Sequence, residues 1–394
     1  MSDLRDELLA KPVGPAVPAR QTDPDRDFTR QIEVSGEVAE VTVRGAANEV
    51  DEDAATAFLR TQGLDPVDWT ATGFRSSEWT MANGETGVST RFTYARRGSS
   101  SAAPLDLGEL LAAVDSRPIV NFERASGDHT FLVLLGDMQF GKIDGDGVEG
   151  TLRRTVECLN KAAELLGQYR RRFDIGHVHV AWLGDHIEGF VSQAGANVWR
   201  TPLTLSEQIR LTRRVMLHAL LLFAPLVERV TMAAVPGNHG EAVRFNGKGV
   251  TRYDDSHDTE SLIAVKDAAD LHPERFGHAE FFVPDTDELT VVVDCSGTVV
   301  AHAHGHQWRP GKHFDWWRGQ AFNRASAMHQ ADLLVAGHLH HEFIDTDGFR
   351  TFVQPPAMES ESTWWRHAKG TTGAPGLIVA VTSAGETNTK EVVR

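Results

Sequence analysis

The chain has 394 residues, of which 41% are hydrophobic and 24% are charged. This balance is typical of a globular protein that buries a sizeable core, and it excludes a disordered chain. The formal net charge of −16 excludes a protein that coats nucleic acid through a uniformly basic surface, so any contact with phosphates must be local.

The cysteines and the apolar runs indicate the compartment. Cys158 and Cys295 are the only two cysteines and cannot build a disulfide framework. The longest apolar run, residues 219–227, is far shorter than the ~20 residues that a membrane helix needs. The N-terminus carries no apolar segment followed by a cleavage site. We therefore expect a cytoplasmic protein, in a bacterium or a phage-infected host cell, without a membrane partner.

The N-terminal third is predicted to hold a tail, a small domain and a linker. Residues 1–30 are rich in Pro, Asp and Arg without periodicity and predict a flexible tail. Residues 31–98 predict a small accessory α+β domain, and residues 99–120 predict a linker. The elements of the small domain are a strand, a helix and a hairpin, at residues 37–45, 51–63, and 69–81 with 89–97.

From residue 121 onward, strands and helices alternate, and five strands end in polar side chains capable of chemistry. The five strands are predicted at 131–135, 178–183, 229–235, 298–303 and 332–336, and they are followed by GDMQ, GDHIEG, PGNHGE, HGHQ and GHLHH. Helical periodicity covers residues 152–173, 206–223 and 256–269. Two closing strands are predicted at 349–353 and 377–382. This alternation predicts an α/β fold.

The polar clusters supply the ligand types that a divalent metal requires. Carboxylate, imidazole and amide groups at strand ends are held rigidly, while the following loops receive substrate. The two histidines of GHLH are two residues apart, so in a strand both face one side and can reach neighbouring metals. The candidates are Asp137, Gln139, Asp185, Asn238, His239, His304 or His306, His338 and His340.

In order and spacing, these clusters resemble the calcineurin-like metallophosphoesterases, whose pattern runs D-x-H, GD-x-x-D/E, GNH, HGH and GH-x-H. The matching segments are Asp137-Met138-Gln139, Gly184-Asp185-His186-Ile187-Glu188, Gly237-Asn238-His239, His304-Gly305-His306 and Gly337-His338-Leu339-His340. The resemblance covers roughly residues 125–385. It implies that residues 121–394 form a metallophosphoesterase domain, a four-layer α/β/β/α sandwich.

The resemblance also implies a cofactor and a role for each residue. Two divalent metal ions are expected, with Mn²⁺ first and Mg²⁺, Fe²⁺ or Zn²⁺ as alternatives, and with a two-metal-activated hydroxide as the nucleophile. Asp185 would bridge the metals, and His239 would be the catalytic histidine that stabilises or protonates the leaving oxygen. The other ligands would be Asp137, Gln139 and His340 for the first metal, and Asn238, His304 and His338 for the second.

Two positions leave alternatives open. Gln139 stands where the family usually has histidine, and a glutamine carbonyl is a weaker and harder ligand than imidazole. The first metal site is therefore expected to be loose, to select Mn²⁺ or Mg²⁺, or to fill only with substrate present. In the fourth motif, His302, His304 and His306 alternate and can all face one side, so the choice of His304 follows the family's HGH pattern with His306 in reserve.

Basic and aromatic residues beyond the motifs bear on the substrate. Two segments combine aromatic and basic residues: 312–318 after the fourth motif and 364–367 after the fifth. Bases of an unpaired nucleic-acid strand stack on such aromatic rings. The alternative is that the tryptophans fill the core. The segment 244–252 combines three basic residues with glycines and predicts a mobile loop that grips phosphate. The predicted substrate-binding residues are Arg244, Lys248, Arg252, Trp316, Trp317 and Arg318.

The leading hypothesis is a metal-dependent phosphodiesterase that acts as a DNA nuclease, either exo- or endonucleolytic. It most resembles the nuclease subunits of double-strand-break repair complexes and their phage-encoded relatives. DNA is the expected substrate, and an ATPase partner subunit or a homodimer is the expected assembly. One alternative is a phosphodiesterase or phosphatase that acts on a small phosphoester. Another is a catalytically degenerate protein that binds metal or DNA.

Overall fold

A computed structural model describes most of the chain. The described residues are 30–35, 38–45, 65, 67–80, 86–96, 106–115, 124–190, 201–245, 248–249, 251–323, 326–360, 370 and 373–394. Contacts divide the chain into two compact units, Met1–Ser101 and Ala102–Arg394. The predicted tail before Arg30 and the predicted helix at 51–63 lie outside the described residues.

The described residues form the following elements. The helices are α1 Leu107–Asp115, α2 Gly147–Tyr169, α3 Leu205–Phe223, α4 His257–Asp270, α5 Pro273–Phe276 and α6 His313–Phe322, with a 3₁₀ turn at Ala327–Gln330. The strands are β1 Arg30–Ser35, β2 Val38–Gly45, β3 Trp69–Thr80, β4 Thr86–Arg96, β5 His129–Leu135, β6 Ile175–Trp182, β7 Arg229–Ala234, β8 Arg244–Phe245, β9 Lys248–Gly249, β10 Ala279–Phe282, β11 Val291–Cys295, β12 Thr298–His302, β13 Leu333–Val335, β14 Phe343–Asp347, β15 Arg350–Gln354, β16 Leu377–Ser383 and β17 Glu386–Val393.

The first unit contains a four-stranded antiparallel sheet in the order β1-β2-β4-β3. Strands β3 and β4 pair along their whole length, which confirms the predicted hairpin. The buried side chains of this sheet include Val41, Trp69, Phe92 and Tyr94. Phe92 and Tyr94 are two residues apart on β4 and therefore point to the same face of the sheet.

The second unit is built on two sheets. The first has the order β10-β7-β6-β5-β16-β17, with β5, β6, β7 and β10 parallel and the last two strands antiparallel. The second has the order β11-β12-β13-β15-β14, with a parallel centre and an antiparallel strand at each edge. Every residue of β6 is buried, as expected of a parallel strand that is covered on both faces.

Three apolar clusters fix the order of the layers. One packs α1, α2, α3 and α4 against the outer face of the first sheet, and it includes Leu159, Val180 and Leu211. The second lies between the two sheets, and the third packs α6 and the 3₁₀ turn against the outer face of the second sheet. The unit is therefore a four-layer α/β/β/α sandwich, which confirms the fold that the resemblance implied.

Helix α1 lies within the segment 99–120, which the sequence assigned to a linker. Its side chains Leu110 and Val114 are four residues apart, so they share one face and are buried in the first cluster. The helix has only nine residues, and the Gly/Ser-rich stretch before it masks its periodicity. None of the described helices is long and apolar enough to cross a membrane.

Candidate metal centre

The five motifs meet at one edge of the sandwich. The first three follow β5, β6 and β7 of one sheet, and the last two follow β12 and β13 of the other. Hydrogen bonds join the loops across the two sheets. His304 Nδ1 donates to the carbonyl oxygen of Leu183 at 2.7 Å, and the backbone N–H of His338 donates to Asp137 Oδ2 at 2.9 Å.

One group of ligand atoms comes from the second, fourth and fifth motifs. The ligand atoms of Asp185, His304 and His338 all lie within 4.8 Å of one another. His304 Nε2 is 3.0 Å from Asp185 Oδ2 and 3.2 Å from His338 Nδ1. In the third motif, Asn238 Oδ1 is buried and has no hydrogen-bond partner among the described residues. An unsatisfied amide oxygen is a donor type that suits such a divalent cation, and the role of Asn238 as a ligand stays a prediction.

A second group comes from the first and fifth motifs. His340 Nε2 is 3.3 Å from Asp137 Oδ1, and within the described chain this buried oxygen has no hydrogen-bond partner. The amide nitrogen of Gln139 lies 3.4 Å from His239 Nε2, so this side chain contacts the predicted catalytic histidine. Asp137 and His340 can share a cation, whereas the role of Gln139 as a ligand stays a prediction.

The backbone is strained at the predicted ligands. Eight non-glycine residues in the described segments have positive φ, a region that L-residues rarely adopt. Five of them are predicted metal ligands, namely Asp137 (51°), Gln139 (41°), Asp185 (51°), His338 (73°) and His340 (60°). Such conformations persist only where the surrounding structure enforces them, and they concentrate at functional sites.

The motif glycines allow the loops to approach the carboxylates. A Cβ on Gly237 would lie 2.0 Å from Asp185 Oδ1, and a Cβ on Gly337 would lie 2.5 Å from Asp137 Oδ2. Any other residue would displace the loop or the aspartate, so glycine in GNH and GH-x-H is required by close packing.

The site holds paired charges away from water. Burial alone would raise the pKa values of both aspartates, but the facing histidines hold that of Asp137 below the usual range and that of Asp185 well below it. Burial alone would lower the pKa values of the histidines, but Asp185 raises that of His304 to about 9 and Asp137 raises that of His340 to about 10. In metal-free protein each carboxylate therefore favours the protonated form of the histidine that faces it, and a bound cation would compete with that proton.

The predicted catalytic residue, His239, is oriented by Glu188. Its Nδ1 donates to the carbonyl oxygen of Glu188 at 3.0 Å and lies 3.5 Å from the carboxylate Oε2 of the same residue. Burial alone would lower the pKa of His239, but the carboxylates of Asp185 and Glu188 raise it to about 9. In metal-free protein at neutral pH the ring is therefore an imidazolium, which is the form that can protonate a leaving oxygen.

Asp258 joins two motif loops although it lies outside every motif. Its carboxylate accepts hydrogen bonds from the backbone N–H groups of Asp185, His186 and Gly237, at 3.1, 3.0 and 2.9 Å. It is fully buried and lies 3.2 Å from His186 Nδ1. Sequence reasoning missed it because acidic residues are common in the first turn of a helix, and Asp258 occupies that position in α4.

Two further acidic residues were missed for different reasons. Glu188 is the last residue of the GD-x-x-D/E motif, so the motif itself carried a signal for it. Glu359 follows β15 in no motif, yet its carboxylate contacts both His340 Nδ1 and Lys142 Nζ at 2.8 Å. Nothing in the local sequence marks this contact, because it depends on the packing of two distant loops.

The alternating histidines of the fourth motif have different surroundings. His304 contacts Asp185, whereas His302 Nε2 is 2.7 Å from His179 Nε2 between the two sheets. The ring of His306 lies 5.4 Å from that of His304, so the reserve candidate borders the site.

The predicted substrate-binding residues of α6 differ in exposure. Trp317 is fully buried and its indole N–H donates to a backbone carbonyl at 3.0 Å, so it belongs to the core and offers no face to a base. This burial corrects its assignment to substrate binding. Trp316 is half-buried, with its ring 4.5 Å from that of Trp308. Arg318 is exposed and lies 3.2 Å from Asp315.

The segment 244–252 contains a short antiparallel pair, β8 with β9. Arg252 lies 2.9 Å from Asp254, so its charge is partly met within the loop. The side chains of Arg244 and Lys248, and the whole segment 364–367, lie outside the described residues.

Comparisons with known proteins find likeness only among solved structures. No family model matches the chain, and no curated protein matches it in sequence. A predicted phosphoesterase of Streptococcus pneumoniae is 14% identical, with 65% of this chain and 84% of that one covered and a TM-score of 0.27. An archaeal phosphodiesterase is 12% identical, with 67% and 99% covered and a TM-score of 0.31.

Vacuolar protein sorting 29 of Cryptosporidium parvum is 15% identical, with 67% of this chain and 97% of that one covered and a TM-score of 0.31. Likeness of this extent does not assign an activity. The functional argument therefore depends on the residues of the site itself.

Proposed function

We propose that this protein is a metal-dependent phosphoesterase. The observation that carries the proposal is the cluster of Asp185, His304 and His338, with the unsatisfied oxygen of Asn238 on the adjoining loop. Carboxylate, imidazole and amide oxygen together suit Mn²⁺, Fe²⁺ or Zn²⁺ better than an all-oxygen ion such as Ca²⁺.

A second ion would be held by Asp137 and His340, with Asp185 shared between the two. When bound, such a pair of ions activates water and neutralises the charge that develops on a phosphoryl group. Asp185 is suited to this because its Oδ2 faces His304 while its Oδ1 accepts the N–H of His239 at 2.7 Å. This carboxylate thus links the ligand group of His304 and His338 to the loop of His239.

His239 would supply the proton that the leaving group needs. As the phosphorus–oxygen bond breaks, the leaving oxygen takes the bonding electron pair and the Nε2 proton of the imidazolium. Glu188 holds the ring through Nδ1, which leaves Nε2 directed toward the site. Asp258 keeps the Asp185 and Gly237 loops in register by binding their backbone N–H groups.

The test is hydrolysis of bis-p-nitrophenyl phosphate and p-nitrophenyl phosphate by metal-free protein to which Mn²⁺, Mg²⁺ or Zn²⁺ is added. We expect metal-dependent release of p-nitrophenol by the wild type and none by Asp185→Asn. A wild type that binds two ions yet hydrolyses neither ester nor any oligonucleotide would instead be a degenerate binding protein.

We further propose that the physiological ester is a phosphodiester of DNA. The support is the aromatic pair of Trp308 and Trp316, 4.5 Å apart and half-buried, with the exposed side chains of Arg309 and Lys312 close by in sequence. Bases stack on such rings for ~1–3 kcal/mol each, while cations meet the phosphates.

Single- and double-stranded oligonucleotides with Mn²⁺ test this finer proposal. Trp316→Ala should raise KM for an oligonucleotide and leave KM for the small diester unchanged. Cleavage of small esters alone, with all DNA intact, would reduce the function to a small-molecule phosphoesterase.

A further inference from the structure

Glu359 is a buried carboxylate that lies outside all five motifs. It is 3% exposed and follows β15, in the loop next to the fifth motif. Oε1 accepts a hydrogen bond from His340 Nδ1 at 2.8 Å, and Oε2 lies 2.8 Å from Lys142 Nζ. Its backbone N–H donates to the carbonyl oxygen of Asp137 at 3.1 Å. One residue therefore contacts the loops of the first and fifth motifs.

We propose that Glu359 is the positioning residue of the first metal site, where it fixes the ring of His340 with Nε2 toward Asp137. Lys142 is its counterion. This inference deepens the proposed function and rests on it, since it assigns how one of the two ions is held.

The hydrogen bond between His340 and Glu359 determines which nitrogen of the ring carries the proton. A carboxylate can only accept a hydrogen bond, so Nδ1 of His340 must be protonated to donate one to Glu359. Nε2 then has the lone pair when a cation replaces the second proton, and Nε2 is the atom 3.3 Å from Asp137 Oδ1. Carboxylate partners of this kind set the orientation and raise the basicity of a metal-binding imidazole.

The buried charge of Glu359 requires a counterion. Glu359 has almost no contact with water, and a buried carboxylate with one imidazole partner would carry an uncompensated charge. Lys142 supplies the compensation, and its own side chain is 17% exposed. The backbone N–H of Lys142 donates to the carbonyl oxygen of Gln139 at 2.9 Å, so the counterion belongs to the first motif loop.

The contact between Glu359 and His340 matters more because residue 139 is glutamine, where the family usually has histidine. A glutamine amide is a weak ligand, so the first site depends on Asp137, His340 and the shared Asp185 for most of its affinity. Misorientation of the His340 imidazole should therefore weaken binding at that site, while binding at the site of His304 and His338 is unchanged.

Titration calorimetry with Mn²⁺ on metal-free protein tests the inference directly. We expect the wild type to bind two ions, and Glu359→Gln to weaken one of them about 10- to 100-fold while the other is unchanged. Lys142→Met should weaken the same ion by a smaller factor, and Lys142→Arg should restore it. The matched control is Asp345→Asn, which removes a similar carboxylate contact, 3.0 Å from His313 Nε2, in the other helical layer.

The outcomes separate the inference from the proposed function. Unchanged affinities in folded Glu359→Gln, or in Lys142→Met if the first variant does not fold, would overturn the positioning role. A wild type that binds fewer than two ions would overturn it as well. A wild type that binds both ions but hydrolyses no ester would overturn the phosphoesterase and leave the role of Glu359 to be decided by the same titrations.

Discussion

Two neighbouring buried histidines of this protein have opposite properties. His302 and His304 are two residues apart, and both are buried. Burial lowers the pKa of His302 to about 4, whereas Asp185 outweighs burial and raises the pKa of His304 to about 9. The difference between these two rings comes from the Asp185 carboxylate, which contacts His304 and has no counterpart beside His302 among the described residues.

The histidines between the sheets contact hydroxyl groups and each other. His302 Nδ1 donates to the carbonyl oxygen of Val291 at 3.0 Å, so in the neutral ring Nε2 accepts from His179 Nε2 at 2.7 Å. His179 Nδ1 then accepts from Thr231, which in turn accepts from His177, both at 2.7 Å. Burial lowers the pKa of His302 to about 4, that of His177 to about 3 and that of His179 well below its usual value, so all three rings are neutral at pH 7.

The largest expected effect comes from removing the carboxylate that distinguishes the two histidines. Asp185→Asn should reduce ester hydrolysis by about 10³-fold or more, because it removes the shared ligand and the charge that supports His304 and His239. In metal-free protein, the pKa of His304 should fall from about 9 toward that of His302, as measured by NMR titration.

Asp128→Asn is the control for that change. It removes an exposed carboxylate that lies 2.6 Å from His129 Nδ1, at the opposite end of β5 from the first motif. Its activity should equal that of the wild type, and an equal loss in both variants would contradict the role given to Asp185.

The second expected effect concerns the proton on His239. In metal-free protein the pKa of His239 is raised to about 9, so the imidazolium is lost as the pH rises through that value. Bound cations would lower this pKa, so the activity of the metal-loaded protein should fall on the alkaline side at or below that pH. His239→Ala should lower kcat by about 10²-fold or more and remove this alkaline limb from the pH–rate profile. An unchanged limb in the variant would assign the proton to another group.

The sequence predicted the ligand residues of the site better than the residues that hold those ligands in place. The motifs placed Asp185, His304 and His338 correctly at the ends of alternating strands, because strand periodicity and polar breaks are local signals. Strand alternation could not separate His302 from His304, because the two differ in what packs across the sheets, and the choice of His304 depended on the family's HGH pattern. Glu359 and Asp258 were missed for the same physical reason, because their partners come from distant loops.

The third expected effect is acid destabilisation by the inter-sheet histidines. Burial and the charge of Arg229 lower the pKa of His177 to about 3, so the unfolded chain binds a proton before the folded one does. The free energy of unfolding is therefore undiminished above about pH 6.5, the usual histidine value, and falls as the pH drops from there toward 3.

His177→Gln isolates this contribution. Glutamine keeps one donor and one acceptor but does not titrate, so the slope of the unfolding free energy should decrease by up to ~1.4 kcal/mol per pH unit. Urea unfolding at several pH values measures the slope. The exposed His341 offers a control, and His341→Gln should leave the slope as in the wild type. Equal slopes in all three proteins would contradict the account of the neutral chain.

The smallest expected effect is a difference in stability between two variants, one that loses a hydroxyl bonded to the inter-sheet histidines and one that loses a hydroxyl without such bonds. Thr231 and Thr382 are both fully buried in strands of the first sheet. Thr231 Oγ1 bonds two histidines, whereas Thr382 Oγ1 has no hydrogen-bond partner in the described part of the chain. The same substitution to valine should therefore have different consequences at the two positions.

Thr231→Val should destabilise the protein by about 1–3 kcal/mol, because it leaves His177 and His179 each with an unsatisfied buried nitrogen. Thr382→Val should be neutral or stabilising, because it removes a buried hydroxyl that gains nothing from folding. Urea unfolding at pH 7 measures both changes. Equal destabilisation by the two variants would mean that the hydroxyl of Thr231 contributes packing alone, and the inter-sheet histidines would then need another explanation for their neutral state.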